Sequence, residues 1–292
     1  MAEFIQQVAT GLSTGSLYAI FALALVLIYR STRVVNFSQG QMAMFTTFIA
    51  WSLLNWGLHF WLAFFLTLLI AGLVGALVEV VLMRPVENAP PLNAIILTLG
   101  LLTLFGGLAL RIWAGEPKVF PSPGVFEGAP LTLGSTAISR PNIGVLCTSV
   151  VVMGAIYLLF NFTKVGLAMR GAAQNRVASQ LVGVNVGGML ALGWALSGMV
   201  GAIAGMLLAP TLYLSPSMMM GVLLFGFAAA VLGGLDSPIG AIVGGLVLGV
   251  MQNLAGTYIG SDINIAVGFL AIILVLIVRP TGLFGKRAIE RD

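Results

Sequence analysis

An all-α, polytopic membrane helix bundle is the fold class this sequence predicts, and three observations predict it. Of 292 residues, 59% are hydrophobic and only 8% charged, whereas a soluble domain needs about 25% charged residues to furnish its surface. The apolar residues come in long runs, several near the roughly 20 residues that cross a bilayer as a helix. The 37 glycines lie inside those runs and follow no G-X-Y period, which fits close helix approach and excludes collagen and disorder. The net charge of +4 rests on 13 Lys and Arg residues scattered between apolar runs, so it speaks to membrane topology and not to nucleic acid. One cysteine and one histidine leave no disulfide framework and no thiolate metal cage within the chain. Cys147 sits in an apolar run and reads as helix packing, while His59 between Trp56 and Trp61 resembles a membrane-interface belt. No nucleophile elbow or P-loop accompanies them, so the chain is expected to hold no enzyme site, no metal and no cofactor.

Taken in order, the spans are Thr10 to Tyr29, Ser38 to Gly57, Trp61 to Met83, Asn93 to Ile112, Ile143 to Phe162, Gly187 to Leu208, Met218 to Leu232, Ile239 to Ala255 and Ile263 to Val278. That makes about eight or nine crossings in one transmembrane domain over residues 1–292. The last three are short, and Gly and Pro flank the seventh and eighth, so a broken or re-entrant form fits those two. Cytoplasmic loops retain Lys and Arg. Nine crossings with an outside N-terminus put Arg30, Arg33, Arg84, Lys164, Arg170, Arg176, Arg279, Lys286, Arg287 and Arg291 inside, and only Arg111, Lys118 and Arg140 outside. The 279–292 tail is then cytoplasmic. Met1 to Gln7 carries Glu3 and no basic residue, so it lacks the positive start of a secretory signal and the first span is expected to stay.

Two connections are long enough to fold by themselves. Residues 114–141, on the outside, contain Pro117, Pro121, Pro123, Pro130 and Pro141, which forbid a continuous helix. Val119, Phe120, Val125 and Phe126 supply apolar groups to pack it on the bundle as a cap; a flexible linker is the alternative. Residues 164–188, on the inside, read KVGLAMRGAAQNRVASQLVGVNVGG. Ala173, Val177, Leu181 and Val184 recur at helical spacing with Gln174, Asn175, Arg176, Ser179 and Gln180 around them, which predicts one short amphipathic helix over Gly171 to Val182. Gly183 follows as its C-terminal cap. So short a helix needs a surface: lipid headgroups, or a groove on a cytoplasmic partner. Its small apolar residues, without Trp or Phe, favour the groove.

The same strip resembles the cytoplasmic coupling segment of the membrane-spanning subunits of ATP-binding-cassette (ABC) importers for branched-chain amino acids. Gly11 to Gly40, Glu79 to Gly100 (EVVLMRPVENAPPLNAIILTLG), Ala228 to Gly249 (AAAVLGGLDSPIGAIVGGLVLG) and Arg279 to Gly285 (RPTGLFG) resemble that family's other motifs in the correct order. The resemblance implies a multi-pass permease subunit of the bacterial cytoplasmic membrane, without enzymatic activity. Its implied partners are a second homologous permease subunit, two cytoplasmic ATP-binding subunits, an external solute-binding protein and membrane lipid. Coupling to the ATPase would then fall to Arg170, Gly171, Asn175, Arg176, Ala178 and Gly183. Where the family carries His and an acid in "NFAHGE", this chain has Ser38-Gln39-Gly40-Gln41, polar but without a titratable group. Asn175 stands near a position where the family has an acid, and Glu87 where it often has Arg.

Charges at bilayer depth are costly. Glu79 is one turn from Met83 and close to Arg84, and pairing between the two accounts for it. Asp236 lies in Gly-Gly-Leu-Asp-Ser-Pro, where Pro238 opens a helix and Ser237 or Asp236 caps it. Asn36 to Gln41 repeats that design, with Ser38 as the cap, which suggests a weak internal repeat. Asn36, Ser38, Gln39, Gln41 and Asp236 are therefore expected along the translocation pathway or a subunit interface. Gly193, Ser197, Gly201 and Gly205 form a sustained small-residue face, whereas Leu248 interrupts the series begun by Gly240 and Gly244.

The function expected is import of branched-chain or related amino acids by alternating access. Urea, amides or small carboxylates carried by the same machinery are the alternative. A stand-alone secondary transporter would bring acidic or histidine relays to the midplane, and only Glu79 and Asp236 are candidates. A non-transporting structural subunit is the remaining class.

Overall fold

A computed structural model describes residues 2–87, 89–133 and 136–285. Lys286, Arg287 and Arg291 of the expected cytoplasmic tail lie outside the described residues, as does the side chain of Val125.

Each apolar run becomes a helix. These are α1 (Ala2–Thr32), α2 (Gln39–Asn55), α3 (Phe60–Leu77), α4 (Pro91–Trp113), α5 (Arg140–Phe162), α8 (Val186–Leu212), α9 (Met219–Gly233), α10 (Pro238–Tyr258) and α11 (Asn264–Val278), with α6 (Lys164–Gln174) and α7 (Arg176–Leu181) between α5 and α8. Six of them are long and apolar enough to cross a membrane, α3 counted with its extension to Val86, while α9 and α11 remain shorter apolar helices. The eighth run, expected to be short, is a full 21 residues. It extends past Ala255 because Gln252 and Asn253, which end its apolar stretch, bond inside the protein: Gln252 Oε1 accepts from Tyr18 and Asn253 Nδ2 donates to Gln7. Among the described residues, all-helical structure is broken by an antiparallel hairpin, β1 (Leu131–Leu133) with β2 (Thr136–Ile138), Leu131 opposite Ile138, and by an isolated bridge between Lys118 and Leu214.

The chain folds as two units. The first comprises the start of the chain to Val26, Gly124–Met153 and the stretch from Leu224 onward. Within it α1 and α10 meet backbone to backbone. A Cβ placed on Gly249 would stand 2.2 Å from the Cα of Gly15, and one on Gly245 2.4 Å from the nitrogen of Ala19. On another face of α10, Gly240 and Gly244 approach the carbonyls of Gly233 and Ala229 on α9, at 2.2 and 2.3 Å by the same measure. Beside the series that Leu248 interrupts, α10 thus carries a second one in Gly245 and Gly249, and the two serve different partners, since adjacent positions are turned by about 100° on a 3.6-residue helix. The RPTGLFG segment closes this unit. Leu283 and Phe284 donate backbone N–H to Leu232 and Gly233, and Gly234 (φ +104°) and Gly282 (φ +81°) turn in the left-handed region. Of the external loop, Phe126 covers Gly144, and Arg140 donates to the carbonyls of Ala129 and Glu127. Cys147 is exposed and not packed, because an apolar face at membrane depth meets lipid as readily as a neighbouring helix.

The second unit comprises Leu27–Pro123 and Gly154–Leu223. Helix α8 lies at its centre against α2 and α3. Gly75 and Gly198 set α3 on α8, where a Cβ would meet the Trp194 carbonyl at 2.3 Å and the Ala71 carbonyl at 2.5 Å. The Gly193 face packs within the chain: Gly193 lies on Ser31, Gly201 on Gln39 and Gly205 on Thr47. Its apolar core joins Ile28, Met42, Val78, Phe105 and the fully buried Trp194. The remaining external segment is tied here by Lys118 and Leu214, which exchange backbone hydrogen bonds, and by Trp51, whose Nε1 donates to the Val119 carbonyl. Phe120 is buried, but the Val119 side chain is exposed.

Gly249→Ala should therefore lower the thermal midpoint of the detergent-solubilised protein, since overpacking of this kind costs about 1–3 kcal/mol. Gly154→Ala, whose Cβ would meet nothing within 4 Å, should leave the midpoint unchanged or raise it. Equal midpoints for the two variants would contradict the α1–α10 contact.

Candidate coupling strip and translocation residues

The strip expected on the inside is two helices and not one. Asn175 is extended (φ −150°, ψ 102°) and breaks the helix expected over Gly171 to Val182. Its carboxamide accepts from Ala178 N–H at 2.9 Å, so Asn175 caps α7 instead of continuing α6, as short polar side chains do. Thr163 caps α6 in the same way through Gly166 N–H. Gly183 has φ +82° and donates to the Gln180 carbonyl, and it ends α7 as the sequence predicts. Gly171 lies where a Cβ would come 3.3 Å from the Ser179 hydroxyl, so the two helices close on each other there. Ala178 is exposed. Val177, Leu181 and Val182 are exposed by 67, 83 and 79%, which leaves the apolar side of α7 uncovered.

One ion pair and one hydrogen bond hold this strip and the start of α8 against the end of α3. The α-helix loosens into a π-helix over Val78–Met83 and then tightens over Arg84–Val86. Glu79, 1% exposed, receives Arg84 through Nη2 to Oε2 at 2.9 Å and Nε to Oε1 at 3.4 Å. The same Nη2 donates to the Gly187 carbonyl in the first turn of α8 at 3.0 Å. Arg176 pairs with Glu87. Nothing in the sequence marks this second pair, because the residues are separated by 89 positions and Glu87 registers only as a departure from a family pattern. Arg33, Arg84 and Arg176 line one recess of this unit together with Glu79 and Glu87, so these three basic residues share one end of it. Arg170 is half-buried, and its Nε has no partner among the described residues.

The residues expected along the pathway fall into two groups. Asn36, Ser38 and Gln39 are fully buried and bonded in a knot. Asn36 Oδ1 accepts from Ser38 N–H at 3.0 Å and Ser38 Oγ at 2.6 Å, and Asn36 Nδ2 donates to Gln39 Oε1 at 3.2 Å. Gln39 Nε2 donates to the Ser197 carbonyl at 3.0 Å, and Ser197 Oγ returns a bond to Gln39 Oε1 at 3.1 Å. Ser38 occupies the N-cap position of α2 without a side-chain cap bond, because its backbone is already helical (φ −79°, ψ −5°) and not extended as a capping residue is. Gly201 makes room for the knot, since a Cβ there would stand 2.5 Å from Gln39 Nε2. Gln41 donates to the Pro216 carbonyl, but its Oε1 is buried without a partner among the described residues. Asp236 belongs to the other unit and is half-buried beside the cap of α10, which Ser237 forms through Gly240 N–H. The repeat of design is therefore partial: a serine caps at the second break and not at the first.

A chain of long apolar helices, with a charged strip between α5 and α8 tied to the end of α3, is a multi-pass membrane protein. The chain belongs to the family described as "Branched-chain amino acid transport system / permease component", whose model matches residues 7–278. It is 29% identical to the high-affinity branched-chain amino acid transport system permease protein LivH of Salmonella typhimurium, over 99% of this chain and 97% of that protein. The corresponding protein BraD of Pseudomonas aeruginosa is 28% identical over 99% and 98%. In fold the chain is similar to PsaBC from Streptococcus pneumoniae in complex with Fab, with a TM-score of 0.52, 12% identity and 96% of each chain covered.

Arg176→Glu should open the strip, since it sets two carboxylates together where a partly exposed pair contributes about 0.5–1 kcal/mol. Tryptic cleavage at Arg170 should accelerate by roughly two- to fivefold, and Glu87→Arg in the same chain should restore the slow rate. Failure of the swap to restore it would assign Arg176 to a contact outside this chain.

Proposed function

We propose that this chain is the membrane-spanning subunit of an ATP-driven importer of branched-chain amino acids in the bacterial cytoplasmic membrane. Family membership supports the transport role, and one observation supports its mechanism: α7 presents three exposed aliphatic side chains while its base is clasped to α3 and α8. An apolar patch of that kind on an otherwise polar loop fits a groove on a soluble partner. We assign the patch to two ATP-binding subunits, one on this chain and one on a second, homologous permease subunit. A solute-binding protein would deliver the amino acid to the opposite face. Arg170, Gly171, Asn175, Arg176, Ala178 and Gly183 then act by shape. Gly171, Asn175 and Gly183 set the bend and the end of the strip, Asn175 holds Ala178, and Arg176 anchors it.

Movement of the strip has a direct route inward. Arg84 bonds both Glu79 on the π-turn and Gly187 at the start of α8. Ser197 and Gly201 of that same helix hold Gln39. A displacement of α8 therefore shifts the start of α2, where Gln41 keeps an acceptor in reserve. In this reading Asn36, Ser38 and Gln39 form the hinge, and Gln41 is the member of the group that meets the solute. Asp236 marks the corresponding inner turn of the first unit. No residue of the pathway needs to titrate, which suits alternating access driven by ATP and not by protons.

The test is copurification in mild detergent with the ATP-binding subunits. Val177→Asp with Leu181→Asp should abolish copurification and reduce leucine uptake by at least about tenfold, with membrane insertion unchanged, since a charge in a docking core costs more than 1.4 kcal/mol. Normal copurification and uptake in that variant would overturn the coupling assignment.

A further inference from the structure

A second polar site, unused by the coupling route, lies wholly within the first unit. Thr14 and Tyr18 of α1, Gln252, Asn253 and Thr257 of α10, and Asn264 of α11 line a recess of about 290 Å³. Tyr18 donates to Gln252 Oε1 at 2.6 Å, and Asn253 Nδ2 donates to the carbonyl and side-chain oxygens of Gln7 at 2.6 and 2.8 Å. These bonds hold the wall in shape. Asn264 Oδ1 is buried and has no partner among the described residues. Gly256 is the residue that leaves space for it, since a Cβ there would stand 2.8 Å from that oxygen.

Four of the six, Thr14, Tyr18, Gln252 and Asn253, lie further inside apolar helices, where polar groups face a cavity, a partner or one another, while Thr257 and Asn264 close the recess at the helix ends. Here one of them is not satisfied by its neighbours. The volume is close to the lower end of small-molecule pockets, roughly 300 Å³, which matches a solute of amino-acid size and excludes a peptide. The lining contains no charged side chain. A solute of net charge would enter it without a counter-charge, at high desolvation cost. Carboxamides and hydroxyls both donate and accept, so they serve an ammonium and a carboxylate equally when the two arrive together. Along α1 the recess lies away from the Arg30 end, and positive residues mark the inside; it therefore opens toward the outer face.

We propose that this recess is a binding subsite for a small, net-neutral, zwitterionic solute on its way inward, with Gln252 and Asn264 as its specificity-determining residues. The proposal rests on the permease reading and adds to it the place where the solute is held. The test uses the assembled importer in proteoliposomes, with its binding protein, leucine as the transported probe, and Cys147→Ser as background. In Gln252→Leu with Asn264→Leu, leucine moved per ATP should fall by about three- to tenfold, the range for one or two lost hydrogen bonds. The binding-protein concentration for half-maximal ATPase stimulation should not change, whereas a merely structural defect would reduce stimulation and transport together. Thr257→Cys should react with a water-soluble thiol reagent, and leucine turnover should slow that reaction. An unchanged coupling ratio in the double variant overturns the subsite. Where the double variant does not assemble, the cysteine decides: protection by leucine supports the subsite, and labelling that is absent or indifferent to leucine overturns it. A wild-type complex that moves no leucine, by contrast, refutes the permease reading for this solute.

Discussion

In a bilayer, lipid tails are as apolar as leucine, so the hydrophobic effect does not hold one spanning helix to another. What holds them is contact at a distance that only a missing side chain permits, and this chain depends on it in both units. Gly15 against Gly249, Gly233 against Gly240, and Gly75 against Trp194 bring backbones into direct contact. Dispersion gained along such a seam is small per atom pair and large in sum. The seam also fixes rotation. Once α8 is set on α3 by Gly75 and Gly198, its Gly193 face is directed to Ser31, Gln39 and Thr47, and the polar knot forms where that face arrives.

The helices were legible in the sequence because hydrocarbon thickness imposes a length, and each run of apolar residues satisfied it or fell visibly short. Capping at Ser237 and Gly183 was legible too, since both depend on the residue and its immediate neighbours. The break at Asn175 was not. Helical spacing of Ala173, Val177 and Leu181 continues across it, and the competing Asx bond to Ala178 leaves no mark on periodicity. Nor was the polar recess. Thr14, Tyr18, Gln252 and Asn253 stand singly or in pairs within apolar helices, and only the pairing of α1 with α10 makes them a group. The small-residue rule found one glycine face of α10 and missed the other for the same reason: a pattern read on one helix does not say how many neighbours it serves.

The charged end of the second unit follows from the cost of burying an ion. Glu79 is almost completely enclosed, which is tolerable because Arg84 binds both its oxygens. Arg84 itself reaches a backbone carbonyl of α8, so an interaction needed to neutralise one carboxylate becomes a tie between α3 and α8. The π-turn at Val78–Met83 carries Glu79, and Arg84 opens the tighter turn that follows it, an irregularity common at functional positions. Glu87 then does for Arg176 what Glu79 does for Arg84. Two of the arginines that topology assigns to the cytoplasm are thereby also the ones that attach the strip to the transmembrane helices.

Polar residues at membrane depth can be separated into scaffold and site by accounting for their bonds. Asn36, Ser38 and Gln39 are surrounded by one another and by Ser197, and an opened knot would leave several donors and acceptors in hydrocarbon at about 1–3 kcal/mol each. They belong to the scaffold for as long as α2 and α8 stay together. An unmet acceptor is different only when something can reach it. Trp194 Nε1 and Thr67 Oγ1 are also without partners, but both residues are wholly enclosed, so they cost stability and offer nothing to a solute. Asn264 Oδ1 is equally buried, but its residue lines a recess with five more polar side chains, where rotation of the carboxamide brings the missing bond within reach of a solute. Among the unpartnered groups it is the combination of an open bond with a neutral, amino-acid-sized space that distinguishes a place for cargo from a fault in packing.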